Sequence, residues 1–596
     1  MLSKSYIKPA ADLAKRENLE PLYDACEATW KTVTEMKMIQ ASAEIRSRPE
    51  WENELDNKTI REQWIAEMKS NRRLTDKQAA YTIAELFYYA KLQAAARSCG
   101  SDAKLSGVNM LWYTDISENS CLAQEFDASL SKMLEKLPKA QYCRPPKNKY
   151  EHVFEQIVDP SLYSLVYEST PILPKPMISP QEALHLPSFG AVPGSIDDWR
   201  QAVCDLNASM AKKDKDDDSE KTTTPATNFV PFNEKYLELA NPSERHWLPT
   251  DIYVNQDGSV EFTSYINNIH PEEHADIYTS ISKIIAKAIP LLEQVLTDWE
   301  HPRDLRIPYD YDNCLKFPIE HPAKLGGKFD IYCEEYDDNA YYQAINEWRD
   351  TITDATPDPE EFVEPERPFI PYSLRNKNLQ VVVEITDKDM VFVSDTASES
   401  IIATAVYYYK VYNGKPFSIE FLEAVESDMC RIGDAYDFLA HEILFGASTG
   451  DKAEIFTQPA GNVDVKQGRL ICYPNVYKQN SWFYPSGGLK RLTIYFVDPS
   501  VRIVSTAIVP PQQKHWWVKS VSLVPSRVSK LPLEVQDMIF NHVNSPMSFQ
   551  KACEVSEKIE RATYIKDDIG KFDCYVFRGD INYYEKDFLG RIIGLS

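Results

Sequence analysis

The sequence predicts an α+β chain, with a helical N-terminal region packed on a C-terminal jelly-roll-like β domain. Three observations predict it. Up to about residue 140, apolar residues recur at three- and four-residue spacing, as in helices that bury one face. From Phe229 onward the apolar period shortens to two, as strands require. Between Gly468 and Trp517 lie three β-rich runs, Leu470–Cys472, Leu492–Val497 and Val501–Ile508. Pro474-Asn475, Pro485-Ser486-Gly487-Gly488 and Asp498-Pro499-Ser500 separate them. Short apolar runs cut by turn residues read as antiparallel strands, and strands apolar on both faces belong inside a sandwich or barrel.

In chain order, the first twenty residues lack a long apolar core, so no secretory signal is expected. Ile60, Trp64, Ile65 and Met68 form one helical stripe. Thr75-Asp76 precedes Ala79, Ile83, Leu86, Phe87, Ala90 and Leu92, which reads as an N-cap followed by a helix. Pro and Gly thicken from Pro171 to Pro193. Ala211–Thr227 is charged and without apolar periodicity, so a disordered linker is expected there. Ile252–Val254 and Val260–Phe262 flank an Asp257-Gly258 turn and read as a hairpin. Pro271 is placed to open a helix that Pro290 kinks or breaks. The acidic, Pro-rich segment Asp350–Pro371 reads as a long loop, and strands resume at Leu379–Ile385 and Ile401–Tyr409. Leu531–Val543 is helical. The expected organisation is a helical region over 1–165, a linker over 166–228, a β domain over 229–526 and a helical extension over 527–596.

The chain has 596 residues, with 90 acidic against 65 basic side chains and a formal net charge of -25. That balance disfavours polyanions, so no general nucleic-acid binding is expected. The 11 cysteines include no CxxC pair, which suits reduced thiols in cytosol or nucleus. No apolar run approaches the ~20 residues of a membrane span. GxxxxGK[ST], GxGxxG, GxSxG and HExxH are all absent, which removes the chemistries those motifs carry. His270-Pro271-Glu272 and His274-Ala275-Asp276 fall at the expected helix start. There, residues two apart point about 200° apart, so neither triple chelates a metal.

Several segments carry a resemblance. RPEWENEL, IREQWIAEM, AAYTIAELFYYAKL, VDPSLYSLVY, FTSYINNIHPEEHADIY, IIATAVYYY, YPNVY, YFVDPSVRIVSTA and VPPQQKHWW occur in this order. Together they resemble the fungal DUF4246 family from about the first fifty residues to Trp517. That family is similar to iron- and 2-oxoglutarate-dependent oxygenases, so the resemblance implies a double-stranded β-helix. It also implies a facial triad of two His and one carboxylate, with a nearby basic residue for the 2-oxoglutarate carboxylate. The positions it supplies hold Phe392, Ser394 and Gln479. Asp395 stands one residue away from the carboxylate position, and Lys490 or Arg491 takes the anion-binding one.

The expectation is therefore a catalytically degenerate relative that acts as a binding or regulatory protein. Neither iron nor 2-oxoglutarate is expected as cofactor, and the partner is an unknown small molecule or protein away from membranes. Two alternatives stay open. One is an enzyme using the barrel mouth without iron, through Ser394, Asp395, Tyr407, Gln479, Lys490 and Arg491. The other is an active oxygenase with unusual ligands, completed by Asp395 and a further His.

Overall fold

A computed structural model describes residues 31–137, 156–205, 245–386, 399, 401–425, 444–445, 456–480, 489–523 and 530–556, with short gaps inside several of these ranges. The segment Ala211–Thr227, read as a linker, lies outside the described residues. Among the described residues no helix is long and apolar enough to cross a membrane.

The N-terminal part forms helices α1 (Val33–Arg46), α2 (Lys58–Asn71), α3 (Asp76–Ser98) and α4 (Cys121–Lys136). Each starts where the local chemistry allows it. The side chains of Thr32, Asn57, Thr75 and Ser120 accept hydrogen bonds from first-turn amides, satisfying donors that the helix leaves orphaned. Thr75 and Gln78 complete a capping box. This region is not all-helical, which corrects the sequence expectation. Two strands, β1 (Lys104–Leu105) and β2 (Trp112–Asp115), lie between α3 and α4. They extend the main sheet because Leu105 and Trp112 are buried in its core.

The other strands of the two larger sheets are β3 (Gln156–Val158), β4 (Thr250–Val254), β5 (Val260–Phe262), β6 (Lys377–Thr386), β7 (Ile401–Val411), β8 (Phe417–Val425), β9 (Phe456–Val465), β10 (Arg469–Pro474), β11 (Tyr477–Asn480) and β12 (Leu489–Val497). The larger sheet runs β1-β2-β10-β7-β12-β6-β4-β5, with β3 also paired to β6. The smaller runs β9-β8-β11. These pairings are antiparallel. The protein is thus a mixed fold of helices and antiparallel sheet. The β4–β5 hairpin turns at Gly258, whose φ of 87° suits a residue without Cβ.

Helix α5 (Ala275–Glu300) covers one face of the larger sheet. Ile277, Ile281, Ile284, Ile285, Ala288, Leu292 and Val295 form its buried stripe. The helix runs unbroken through Pro290, so the break that the proline could have made does not occur. Both halves bury apolar residues in one core, and that packing outweighs the roughly 3 kcal/mol cost of an interior proline. It also begins later than Pro271 suggests. Residues 271–274 form turns, held by the Tyr278 hydroxyl, which donates to Ile269 O and accepts from Ile266 N–H.

Of Val501–Ile508, read as a strand, residues 502–508 are described and form a buried segment outside the named strands. Its backbone bonds go to side chains and loops instead: Gln380 brackets Ile503, and Thr506 N–H donates to Pro249 O. The Pro-rich stretch before β6 has no regular structure over 355–371. Arg367 pins it to α5 by donating to Asp298 and, at 2.5 Å, to Gln294 Oε1. Three further helices are α6 (Asp338–Thr351), α7 (Lys514–Leu523) and α8 (Leu533–Asn541).

The turn entering α5 buries His270 and His274. Burial lowers the His274 imidazole from 6.5 to about 4, with Glu273 opposing and Lys136, His270 and Lys519 reinforcing. His270 is lowered by burial too, again against Glu273. A folded-state value below the unfolded one means that this stability is full above about pH 6.5 and is lost as pH falls toward about 4. His274→Gln should flatten the decline. Between about pH 7 and 4, wild type should lose about 1–3 kcal/mol more than the variant in urea unfolding. Parallel pH profiles would count against this assignment.

Candidate functional site

Strand alternation decides which side chains enter the space between the two sheets. On β6, Leu379, Val381, Val383 and Ile385 join the helix-facing core, so Val382, Glu384 and Thr386 point the other way. On β12, Leu492, Ile494 and Phe496 face the helices, which turns Arg491, Thr493 and Tyr495 inward. On β7 and β10 the inward residues include Val406, Tyr408, Ile471 and Tyr473. The registers align these side chains in rows. Val382, Tyr495, Thr404 and Tyr473 form the first, and Glu384, Thr493, Val406 and Ile471 the second. Thr386, Arg491 and Tyr408 form the third.

The smaller sheet closes over the β7–β10 side with apolar groups. Ile419 and Phe421 of β8, Val463 and Val465 of β9 and Tyr477 of β11 pack there. The Phe421 ring lies 5.0 Å from Tyr473 and 6.3 Å from Tyr477. Polar groups gather instead on β6 and β12.

Glu384 is at the centre of that polar half and has no solvent exposure. Tyr495 Oη donates to its Oε2 at 2.9 Å, and Gln156 Nε2 of β3 donates to its Oε1 at 3.0 Å. Arg491 stands opposite Thr386, one inward position beyond Thr493, the partner of Glu384. Such a diagonal neighbour is within reach of a long side chain. Burial raises the Glu384 carboxyl above its usual range; Arg491 and the two hydrogen bonds oppose this, and Asp159 adds to it. Burial also pushes the Tyr495 hydroxyl well up, with Glu384 reinforcing and Arg491 opposing. The Trp247 ring, 5.1 Å from Tyr495, flanks the first row. Thr386 Oγ1 and Thr493 Oγ1 are buried within the same grid, and neither has a hydrogen-bond partner among the described residues.

Of the residues singled out from the sequence, Arg491 enters this space. Lys490 points to the opposite face, where it and Lys410 oppose the upward shift that burial imposes on the Asp127 carboxyl of α4. Tyr407 also faces the helices. It is buried, with its ring 5.9 Å from Phe126, and its hydroxyl is pushed up to about 12 by burial, Asp127 and Glu118. This corrects the expectation that Tyr407 and Lys490 share a mouth with Arg491: residues of opposite parity on a strand leave on opposite faces. Gln479 belongs to β11, with its Cα opposite Phe421. Phe392, Ser394 and Asp395 lie outside the described residues.

Sequence reasoning missed Gln156, Glu384, Thr386, Thr493 and Tyr495. A signal for four of them was present. In both VVVEIT and RLTIYF, polar or aromatic residues alternate with aliphatic ones, as on a strand whose two faces meet different surroundings. Among the described residues, no three His, Cys, Asp or Glu side chains converge as metal ligands.

Comparison with known families matches residues 76–520 to a protein of unknown function, DUF4246. It matches residues 10–67 to a domain of unknown function, the DUF4246 N-terminal domain. Searches of curated proteins and of solved structures found no match. With the two family models spanning most of its length, this chain belongs to the DUF4246 family.

Proposed function

We propose that this chain is a binding or regulatory protein on an oxygenase-like double-stranded β-helix that has lost its iron site, and that it holds a small polar molecule between its two sheets. The observation that carries this reading is the pair of buried hydroxyls of Thr386 and Thr493 inside the polar grid, both without a hydrogen-bond partner among the described residues. A buried polar group left unmatched costs about 1–3 kcal/mol, which a polar occupant offsets.

The strand order supports the fold part of the reading. After β6 and β7, the chain leaves the larger sheet for β8 and β9 and returns as β10. It leaves again for β11 and returns as β12 between β7 and β6. A chain that wraps two sheets in this manner is jelly-roll-like. The donor set argues against iron. The ligand positions supplied by the resemblance hold Phe392, Ser394 and Gln479, an aromatic ring, a hydroxyl and an amide. Iron of this class takes two imidazoles and a carboxylate, so these residues do not fit it. The free thiols of Cys99, Cys121, Cys204 and Cys472 support a reducing compartment, cytosol or nucleus.

A second reading keeps an enzyme. Glu384, buried beside Tyr495 and Arg491 with a raised carboxyl, has the makings of an acid–base group. Incubating the purified chain with a metabolite extract, followed by gel filtration and mass spectrometry, tests both. The binding reading expects one polar metabolite retained near one per chain. Thr493→Val, which removes the hydroxyl at nearly constant volume, should weaken its binding about tenfold. Chemical conversion of the retained molecule would favour the enzyme. An empty chain would remove the binding reading. One iron per chain, lost on chelation together with 2-oxoglutarate turnover, would install the oxygenase with unusual ligands instead.

A further inference from the structure

The surroundings of Glu384 have the composition of a carboxylate-recognition site. One oxygen accepts from the Tyr495 hydroxyl and the other from the Gln156 amide, while the Arg491 guanidinium supplies the nearby positive charge. Two donors on separate oxygens with a cation beside them are what a free carboxylate requires when it leaves water. Here the chain supplies the carboxylate itself.

We propose that Glu384 is a built-in occupant of the recognition set formed by Arg491, Tyr495 and Gln156, and that it makes the space between the sheets refuse free carboxylates. The inference rests on the reading of that space as a ligand site and narrows the ligand class. With Glu384 beside Arg491, a second carboxylate entering would find these donors and the cation already engaged. Thr386 and Thr493, the hydroxyls without partners, suit a neutral ligand that both gives and accepts hydrogen bonds. A polyol or an amide fits that chemistry, and a dicarboxylate does not.

Removing the Glu384 side chain tests this directly. Glu384→Ala leaves the donors in place with room for a small anion. Acetate and formate should raise its melting temperature in a concentration-dependent manner, with an affinity at least about tenfold above wild type. Chloride at equal ionic strength should not. Adding Arg491→Gln to Glu384→Ala should abolish the rescue. Wild type should show no shift with acetate, succinate or 2-oxoglutarate. If Glu384→Ala does not fold in chloride, its refolding yield should recover in acetate or formate, and equal failure in all three salts would overturn the proposal. So would a folded variant indifferent to both carboxylates, or a wild type that binds 2-oxoglutarate as tightly as the variant does. A wild type that retains no metabolite at all sinks the broader binding reading while leaving the carboxylate rescue to be read on its own.

Discussion

Asp251→Ala is expected to lower folding stability by about 3–5 kcal/mol, because it strands a buried guanidinium. Asp251 lies on β4 without solvent exposure. Its carboxylate pairs with Arg502 and accepts from the Ser505 hydroxyl. Its own N–H donates to Ser264 Oγ at 2.8 Å. The neighbouring strand reaches the same segment: Gln380 donates to Ile503 O and accepts from Ile503 N–H, both at 2.9 Å. Together these contacts fasten the buried segment after β12 to the edge of the sheet. Asp251→Asn keeps the shape and loses the charge, so its cost should be smaller. Asp251→Ala with Arg502→Met should recover part of the loss, since no unpaired charge then stays buried. Chemical denaturation of the three variants checks this. A loss under about 1 kcal/mol for Asp251→Ala would mean that water reaches Arg502.

Arg306→Ala should cost about 3 kcal/mol by the same physics at the other end of the fold. Arg306 donates to Glu35 Oε1 of α1 at 2.8 Å and to Glu85 Oε1 of α3 at 2.7 Å. Glu35 also accepts from Ile307 N–H at 3.2 Å, so the residues after α5 are tied to both helices. Burial disfavours the Arg306 charge, but Glu85 and Glu35 hold its pKa well above the ordinary value. Burial pushes the Glu85 carboxyl up, and Arg306 and Arg303 more than reverse this. A lowered carboxyl contributes stability above its unfolded value, near 4.5, and loses it as pH falls through the folded one. Arg306→Ala should therefore be less stable at neutral pH and decline less steeply on acidification. Adding Glu35→Gln and Glu85→Gln should restore part of the neutral-pH loss, as urea unfolding would reveal. An unchanged acid limb in Arg306→Ala would argue that Arg303 and Arg46 suffice to hold the Glu85 carboxylate.

Much of the architecture was legible because it rests on local rules. The cap at Thr75, the Asp257-Gly258 turn, the aliphatic runs of β6, β7, β10 and β12 and the helix α8 (Leu533–Asn541) all follow from neighbours in sequence. The misreadings share one cause. Pro290 inside α5, the non-strand course of Val501–Ile508 and the strands β1 and β2 before α4 are places where burial against distant residues overrode local preference. Within the candidate site, the sequence pointed to the start of β12 but left Lys490 and Arg491 equivalent.

The sequence by itself determined the family and the mixed helix and antiparallel-sheet class. Those features are written in residue identity and short-range period. Only the tertiary structure decided which face of each strand looks between the sheets. It turned Arg491 inward with Thr493 and Tyr495, sent Lys490 and Tyr407 toward α4, and joined Glu384 to Gln156 across 228 residues of chain. Strand period assigns alternate residues to opposite faces, but which face becomes the interior is set by what packs against each side, and α4 and α5 supply that from far away in sequence.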